Sequence, residues 1–161
     1  MKKWIFLLSL MGILLSCTAE DVKFNNTAFQ TLKNNVFWRA QSYQAYLTQS
    51  GNVIIEGSLG FEKVTLQTSS SAEQTFTLGA DDISKAYFED SSSDNAVSFY
   101  TGTNIGTGQI VITEFNSESQ TISGTFKFTA VNKNEADTEN PKISFTEGVF
   151  YKVPVIAEEM F

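Results

Sequence analysis

Histidine is absent from the 161 residues, and cysteine occurs once, at Cys17. Without an imidazole there is no Ser-His-Asp triad, no Cys-His pair and no histidine metal ligand. A single cysteine excludes an intramolecular disulfide framework, a CxxC redox motif and a cysteine-ligated cluster. Positive charge is also scarce: 11 Lys and Arg stand against 18 Asp and Glu, for a net charge of -7. Nucleic-acid affinity comes largely from basic side chains that neutralise phosphates, so nucleic acid is excluded as a partner. Only two prolines occur, Pro141 and Pro154. No long apolar run follows Leu15, so no transmembrane span is expected. What the chain does have is 14 Phe and 5 Tyr among many Thr and Val, a composition that suits strands.

The N-terminus reads as an address. Lys2 and Lys3 precede the apolar run Trp4 to Leu15, which is shorter than the about 20 residues a spanning helix needs. A basic start, a short apolar stretch and small residues after it make a secretory signal. The run ends Leu14-Leu15-Ser16-Cys17, which resembles a bacterial lipobox. The resemblance implies cleavage between Ser16 and Cys17, with thioether-linked acylation of Cys17. Several acyl chains anchor stably where one alone is marginal. Glu20 and Asp21 close behind the cysteine resemble a surface-export signal of some Bacteroidetes lipoproteins. The division expected is therefore 1–16 signal peptide, 17–35 lipidated cysteine, tether and irregular first strand (around Ala28 to Leu32), and 36–161 all-β domain.

Period-two alternation runs through the rest. Val53, Ile55, Gly57, Leu59 and Phe61 share one face, and Val64 and Leu66 continue the pattern. Ile122, Gly124, Phe126, Phe128 and Ala130 alternate with Ser123, Thr125, Lys127 and Thr129. Ile110 to Phe115 is apolar on both faces, as in a strand covered on both sides. Phe37 to Tyr46 reads as one long strand, and Gly148 marks a bulge near the end of the chain. No apolar stripe of helical period extends over three turns. The expected fold class is all-β: a single antiparallel meander of about nine strands, closing as a β-sandwich or an up-and-down barrel.

Several segments carry a further resemblance. They are Phe37-Trp38-Arg39-Ala40, Asn52 to Gly57, Thr75 to Gly79, Ala86-Tyr87-Phe88, Gly108 to Phe115, Ser123 to Phe128 and Ile143 to Phe150. The series resembles a family of Bacteroidetes lipoproteins known as domain of unknown function 6252. The resemblance implies an all-β envelope lipoprotein and supplies no catalytic residues.

Candidate chemistry is sparse. Glu135-Ala136-Asp137-Thr138-Glu139 matches an E-x-D-x-E pattern that resembles laminarinase-type glycoside hydrolases. Its Asn and Pro flanks mark it as a solvated hairpin loop. Asp81, Asp82, Glu89, Asp90 and Asp94 offer oxygen ligands without the spacing of a calcium loop, and no metal site is assigned. Thr101 to Gly108 lacks the Lys-Ser/Thr of a phosphate loop and reads as a hairpin connection. Trp38, Arg39 and Tyr43 form the candidate ligand-binding group, since a ring beside an Arg can stack on a sugar or grip a carboxylate. The competing reading packs Trp38 beside Ala40 in the core. The expectation for function is a cell-envelope lipoprotein, lipid-anchored in the outer membrane and facing either the periplasm or the surface. It would be a non-catalytic binding or accessory module for an unknown glycan, peptide or envelope protein, and no cofactor is called for. The alternatives are a small carboxylate-dependent glycan-processing enzyme, with Glu114 or Glu147 as its carboxylate, or a purely structural envelope protein.

Overall fold

The computed structural model describes residues 26–92 and 96–157. Every regular element among them is a strand. In chain order these are β1 (Ala28–Lys33), β2 (Val36–Arg39), β3 (Ser42–Leu47), β4 (Val53–Leu59), β5 (Glu62–Thr68) and β6 (Thr75–Leu78), followed by β7 (Lys85–Asp90), β8 (Val97–Tyr100), β9 (Thr107–Asn116), β10 (Thr121–Asn132) and β11 (Lys142–Ala157). All eleven join in one hydrogen-bonded sheet of order β2-β1-β11-β3-β4-β5-β7-β8-β10-β9-β6, with a further β10–β11 pairing that closes a ring.

The ring is flattened into two layers. One layer runs β2-β1-β11-β10-β9-β6 and the other β3-β4-β5-β7-β8. Two corners connect them. At one, β11 passes from β1 to a parallel pairing with β3, through Val155↔Ala45, Ile156↔Tyr46 and Ala157↔Leu47. At the other, β10 meets β8 only at Val131↔Tyr100 and Asn132↔Phe99. The architecture is thus all-β and both sandwich- and barrel-like.

It departs from a plain meander in three ways. Eleven strands form rather than nine. The β3–β11 pair is parallel, because the 16-residue β11 is long enough to serve two neighbours in succession along one edge. And β6 skips its sequence neighbours to pair with β9. The long strand expected over Phe37 to Tyr46 is two strands, broken at Ala40 and Gln41, where the chain crosses to the other layer. Strand β9 is covered on one face only: Ile110 and Ile112 are buried while Thr113 and Glu114 are exposed.

Local sequence explains the turns. Asn34 and Asn35 close the β1–β2 hairpin at φ 48° and 64°. Asn tolerates this left-handed region, which a two-residue turn of matching twist requires at both positions. Gly60 (φ 58°) does the same at the first turn position between β4 and β5. Phe61 therefore lies in the turn, 69% exposed, rather than on the core face that alternation assigned to it.

Phenylalanine fills the space between the layers. Phe29, Phe145 and Phe150 are fully buried. Phe128 stacks on Phe145 at 4.6 Å between centroids, and Phe145 meets Phe88 of the opposite layer at 5.4 Å. Burying an aromatic ring of this size contributes on the order of 2–3 kcal/mol. Two glycines make room for rings. A Cβ on Gly124 would lie 2.4 Å from the Phe150 ring, and one on Gly148 2.6 Å from Phe126. Both sit at bulges, where the β9–β10 and β10–β11 registers shift. The bulge expected at Gly148 is present, with Glu147 beside it at φ 53°.

Candidate functional site

Trp38, Arg39 and Tyr43 are dispersed by the break between β2 and β3. Trp38 is 2% exposed and packs edge-on against Phe29, with centroids 6.0 Å apart. Arg39 points to the opposite, outer face, where Nη1 donates to Gln30 Oε1 at 3.3 Å. Tyr43 belongs to the other layer, and its hydroxyl donates to the Thr27 carbonyl at 2.9 Å. The three side chains thus do not converge on one face. Ser16, Cys17, Glu20, Asp21 and Asp94 lie outside the described residues.

The carboxylates considered for catalysis are separated too. Glu114 and Glu147 are exposed on different strands. The Glu135 to Glu139 segment is the β10–β11 loop. Within it Asp137 is a structural acceptor: Oδ1 takes the Glu139 and Asn140 amides at 3.2 and 3.0 Å, and Oδ2 takes Asn132 Nδ2 at 3.1 Å. Asp81 and Asp82 are likewise engaged in loops. Asp82 receives the Thr103 amide and hydroxyl, each at 3.0 Å, and these bonds hold its carboxyl below the ordinary 3.8. Among the described residues no group of three acidic or sulfur ligands is placed to hold a metal.

A recess opens between the layers at the Lys33 end of β1. Its volume is about 240 Å³. Phe88, Phe99 and Ile143 form an apolar floor, and Lys33, Asp90, Asp137 and Lys142 stand on the rim. The site is built from five elements, β11 supplying Lys142 and Ile143. Strand β1 delivers Lys33 on the same inward face as Phe29 and Thr31, and β7 ends at Asp90. Strand β8 supplies Phe99, and the β10–β11 loop folds Asp137 over the opening. An adjoining groove of about 260 Å³ shares Val97 and Asp137 and is bordered by Asn132 and Lys133.

Lys33 crosses the layers. Its ammonium pairs with Glu62 Oε1 and lies 5.1 Å from the centroid of the Phe88 ring. The hydroxyl and amide of Ser92 bond the Asp90 carboxylate and hold its pKa below 3.8, with a smaller contribution from the Lys33 charge. A general acid at neutral pH needs a raised carboxyl pKa, and the direction at Asp90 is the opposite. An apolar floor with few convergent charges is the usual form of a binding recess. None of Phe88, Phe99, Lys33 and Lys142 stands out in the sequence as a site residue. The one available signal was a lysine at the inward position of Phe29-x-Thr31-x-Lys33.

Residues 25–154 match the family described as domain of unknown function (DUF6252). The chain belongs to this family. The match starts just before β1 and ends within β11, so it covers essentially the whole sheet. No curated protein matches the chain. No solved structure matches it either.

Proposed function

We propose that this DUF6252 chain is a non-catalytic binding or accessory module of the bacterial cell envelope, held to the membrane by a lipid on Cys17. The observation that carries this reading is the position of the recess relative to the tether. The tether enters β1 at Ala28, and the recess lies beside Lys33 at the other end. The six-residue strand sets the two about 17 Å apart at 3.3 Å per residue. An anchored domain would thus present the recess away from its attachment point. The lipobox ending at Cys17 and the family match beginning at residue 25 support the same order: signal, acylated cysteine, short polar spacer, domain. Glu20 and Asp21 in that spacer favour display on the outer surface of a Bacteroidetes outer membrane. A glycan or peptide that combines an apolar face with charged or hydrogen-bonding groups suits the Phe88 and Phe99 floor and the Lys and Asp rim.

Labelling with palmitate tests the anchor. The wild-type chain should incorporate label and sediment with membranes, and Cys17→Ser should do neither and accumulate as unprocessed precursor. A Cys17→Ser protein that is still processed and membrane-bound would overturn the reading.

A further inference from the structure

Strand β2 is one edge of the sheet: among the described residues it pairs with β1 alone. The register shows what that edge offers. Ala40 N donates to Phe29 O at 2.9 Å, so Phe29 and Ala40 form a hydrogen-bonded pair. In an antiparallel ladder such pairs alternate with non-bonded ones. With Thr31↔Trp38 and Lys33↔Val36 next in the bonded series, the backbone groups of Phe37 and Arg39 face away from β1. They point to an open edge.

The side chains there are unusual for such an edge. Natural edges are commonly blunted by lysine, proline, bulges or inward charges. Strand β2 reads Val-Phe-Trp-Arg, with Val36 66% and Phe37 63% exposed. Its one charge, Arg39, has no carboxylate within ion-pair distance among the described residues, in a chain where acids outnumber bases. The bond it does make is to neutral Gln30.

We infer that β2 pairs with β2 of a second copy of this chain, antiparallel about a two-fold axis at Trp38. This register sets Phe37 opposite Arg39 of the second copy, and Arg39 opposite its Phe37. It uses every outward backbone group of the strand, making about four hydrogen bonds. On the outer face each guanidinium meets a phenyl ring, a favourable cation–π pairing. No other in-phase register of so short a strand sets Arg39 over a ring. An axis at Arg39 opposes two guanidinium groups. An axis at Phe37 leaves Arg39 opposite Asn35 in the hairpin turn. The strand is thus self-complementary, as an isologous contact requires.

Disulfide trapping tests both the partner and the register. Facing residues of a bonded pair lie about 5.5 Å apart at Cα, within the range a disulfide spans. Two differently tagged full-length chains, one Phe37→Cys and one Arg39→Cys, are mixed in detergent and oxidised with copper phenanthroline. The wild-type chain, with Cys17 as its only cysteine, sets the baseline. The mixture should give a dimer carrying both tags, and either variant alone should stay at baseline. Sedimentation of the full-length protein should show self-association that Arg39→Glu abolishes while the variant still unfolds in a single cooperative transition. A mixture that stays at baseline would overturn the proposal and leave the edge to a foreign strand. Equal trapping in all three samples would overturn the register.

Discussion

Trp38 Nε1 donates a 2.6 Å hydrogen bond to Glu62 Oε2, and Lys33 pairs with the other oxygen of that carboxylate. One acid at the start of β5 thereby ties both strands of the β1–β2 hairpin to the opposite layer. Trp38 is therefore a structural residue with a polar handle. Trp38→Ala should cost on the order of 3–5 kcal/mol of unfolding free energy through the lost ring volume. Trp38→Phe keeps much of the packing but leaves Glu62 Oε2 without its donor, for a loss of about 1–2 kcal/mol. Urea melts separate the two. In a Trp4→Phe background the emission should be blue-shifted and poorly quenched by iodide, whereas a red, quenchable emission would contradict the burial.

The glycines should separate into two kinds. A Cβ on Gly57 would lie 2.7 Å from the Phe29 ring, a side chain that can be shortened. A Cβ on Gly124 would meet the Val111 carbonyl oxygen at 2.0 Å, a backbone atom that cannot. Either Gly→Ala change should cost about 1–3 kcal/mol by overpacking. Phe29→Leu should relieve Gly57→Ala, with a coupling energy of about 1 kcal/mol in a double-mutant cycle. Phe150→Leu should leave most of the Gly124→Ala penalty in place. Equal rescue at both sites would contradict this assignment.

The hairpin asparagines differ in a similar way. Both have positive φ, but Asn34 Oδ1 also accepts the Ser144 amide at 2.9 Å. Asn35→Gly should be neutral or slightly stabilising. Asn34→Gly should cost about 1 kcal/mol through the lost hydrogen bond. Chemical denaturation of the two variants checks the order.

Much of this fold was legible in the sequence, because alternation reports burial wherever a strand has one wet face. Ile122, Phe126, Phe128 and Ala130 are all buried as their spacing requires, and Trp38 shares the inward face with Ala40. Alternation says nothing about where a strand stops. Phe61 falls in a turn, and Tyr43 passes to the other layer after the break at Ala40 and Gln41. Nor does it report partners distant in sequence, so the parallel β3–β11 corner and the detour of β6 were not visible. The recess was hidden for the same reason: Lys33, Asp90, Phe99 and Asp137 come from four elements and meet only when the ring closes.

Acid should weaken the fold through Asp82 and Asp90. Both carboxyls are held below 3.8, by bonds from Thr103 and Ser92 respectively. A depressed folded-state pKa adds stability that is complete above the unfolded value and is lost as pH falls through the folded one. The loss should therefore appear below about pH 4, where the unfolded carboxylate begins to bind its proton first. Asp82→Asn should lower Tm at pH 7 and flatten the acid limb. Asp82 is exposed and Asp90 only partly buried, so the effect should be small. An unchanged acid limb in Asp82→Asn would contradict the assignment.

The central claim is that the recess at the Lys33 end binds an envelope component without altering it. Amide chemical-shift mapping of the isotope-labelled protein during titration with solubilised envelope glycans and peptides tests it most directly. Saturable shifts should cluster at Asn34, Asp90, Val97 and Asn140 and disappear in Lys142→Glu, with the added material recovered intact. Shifts scattered over both outer faces, no shifts, or cleavage products in the recovered material would contradict it.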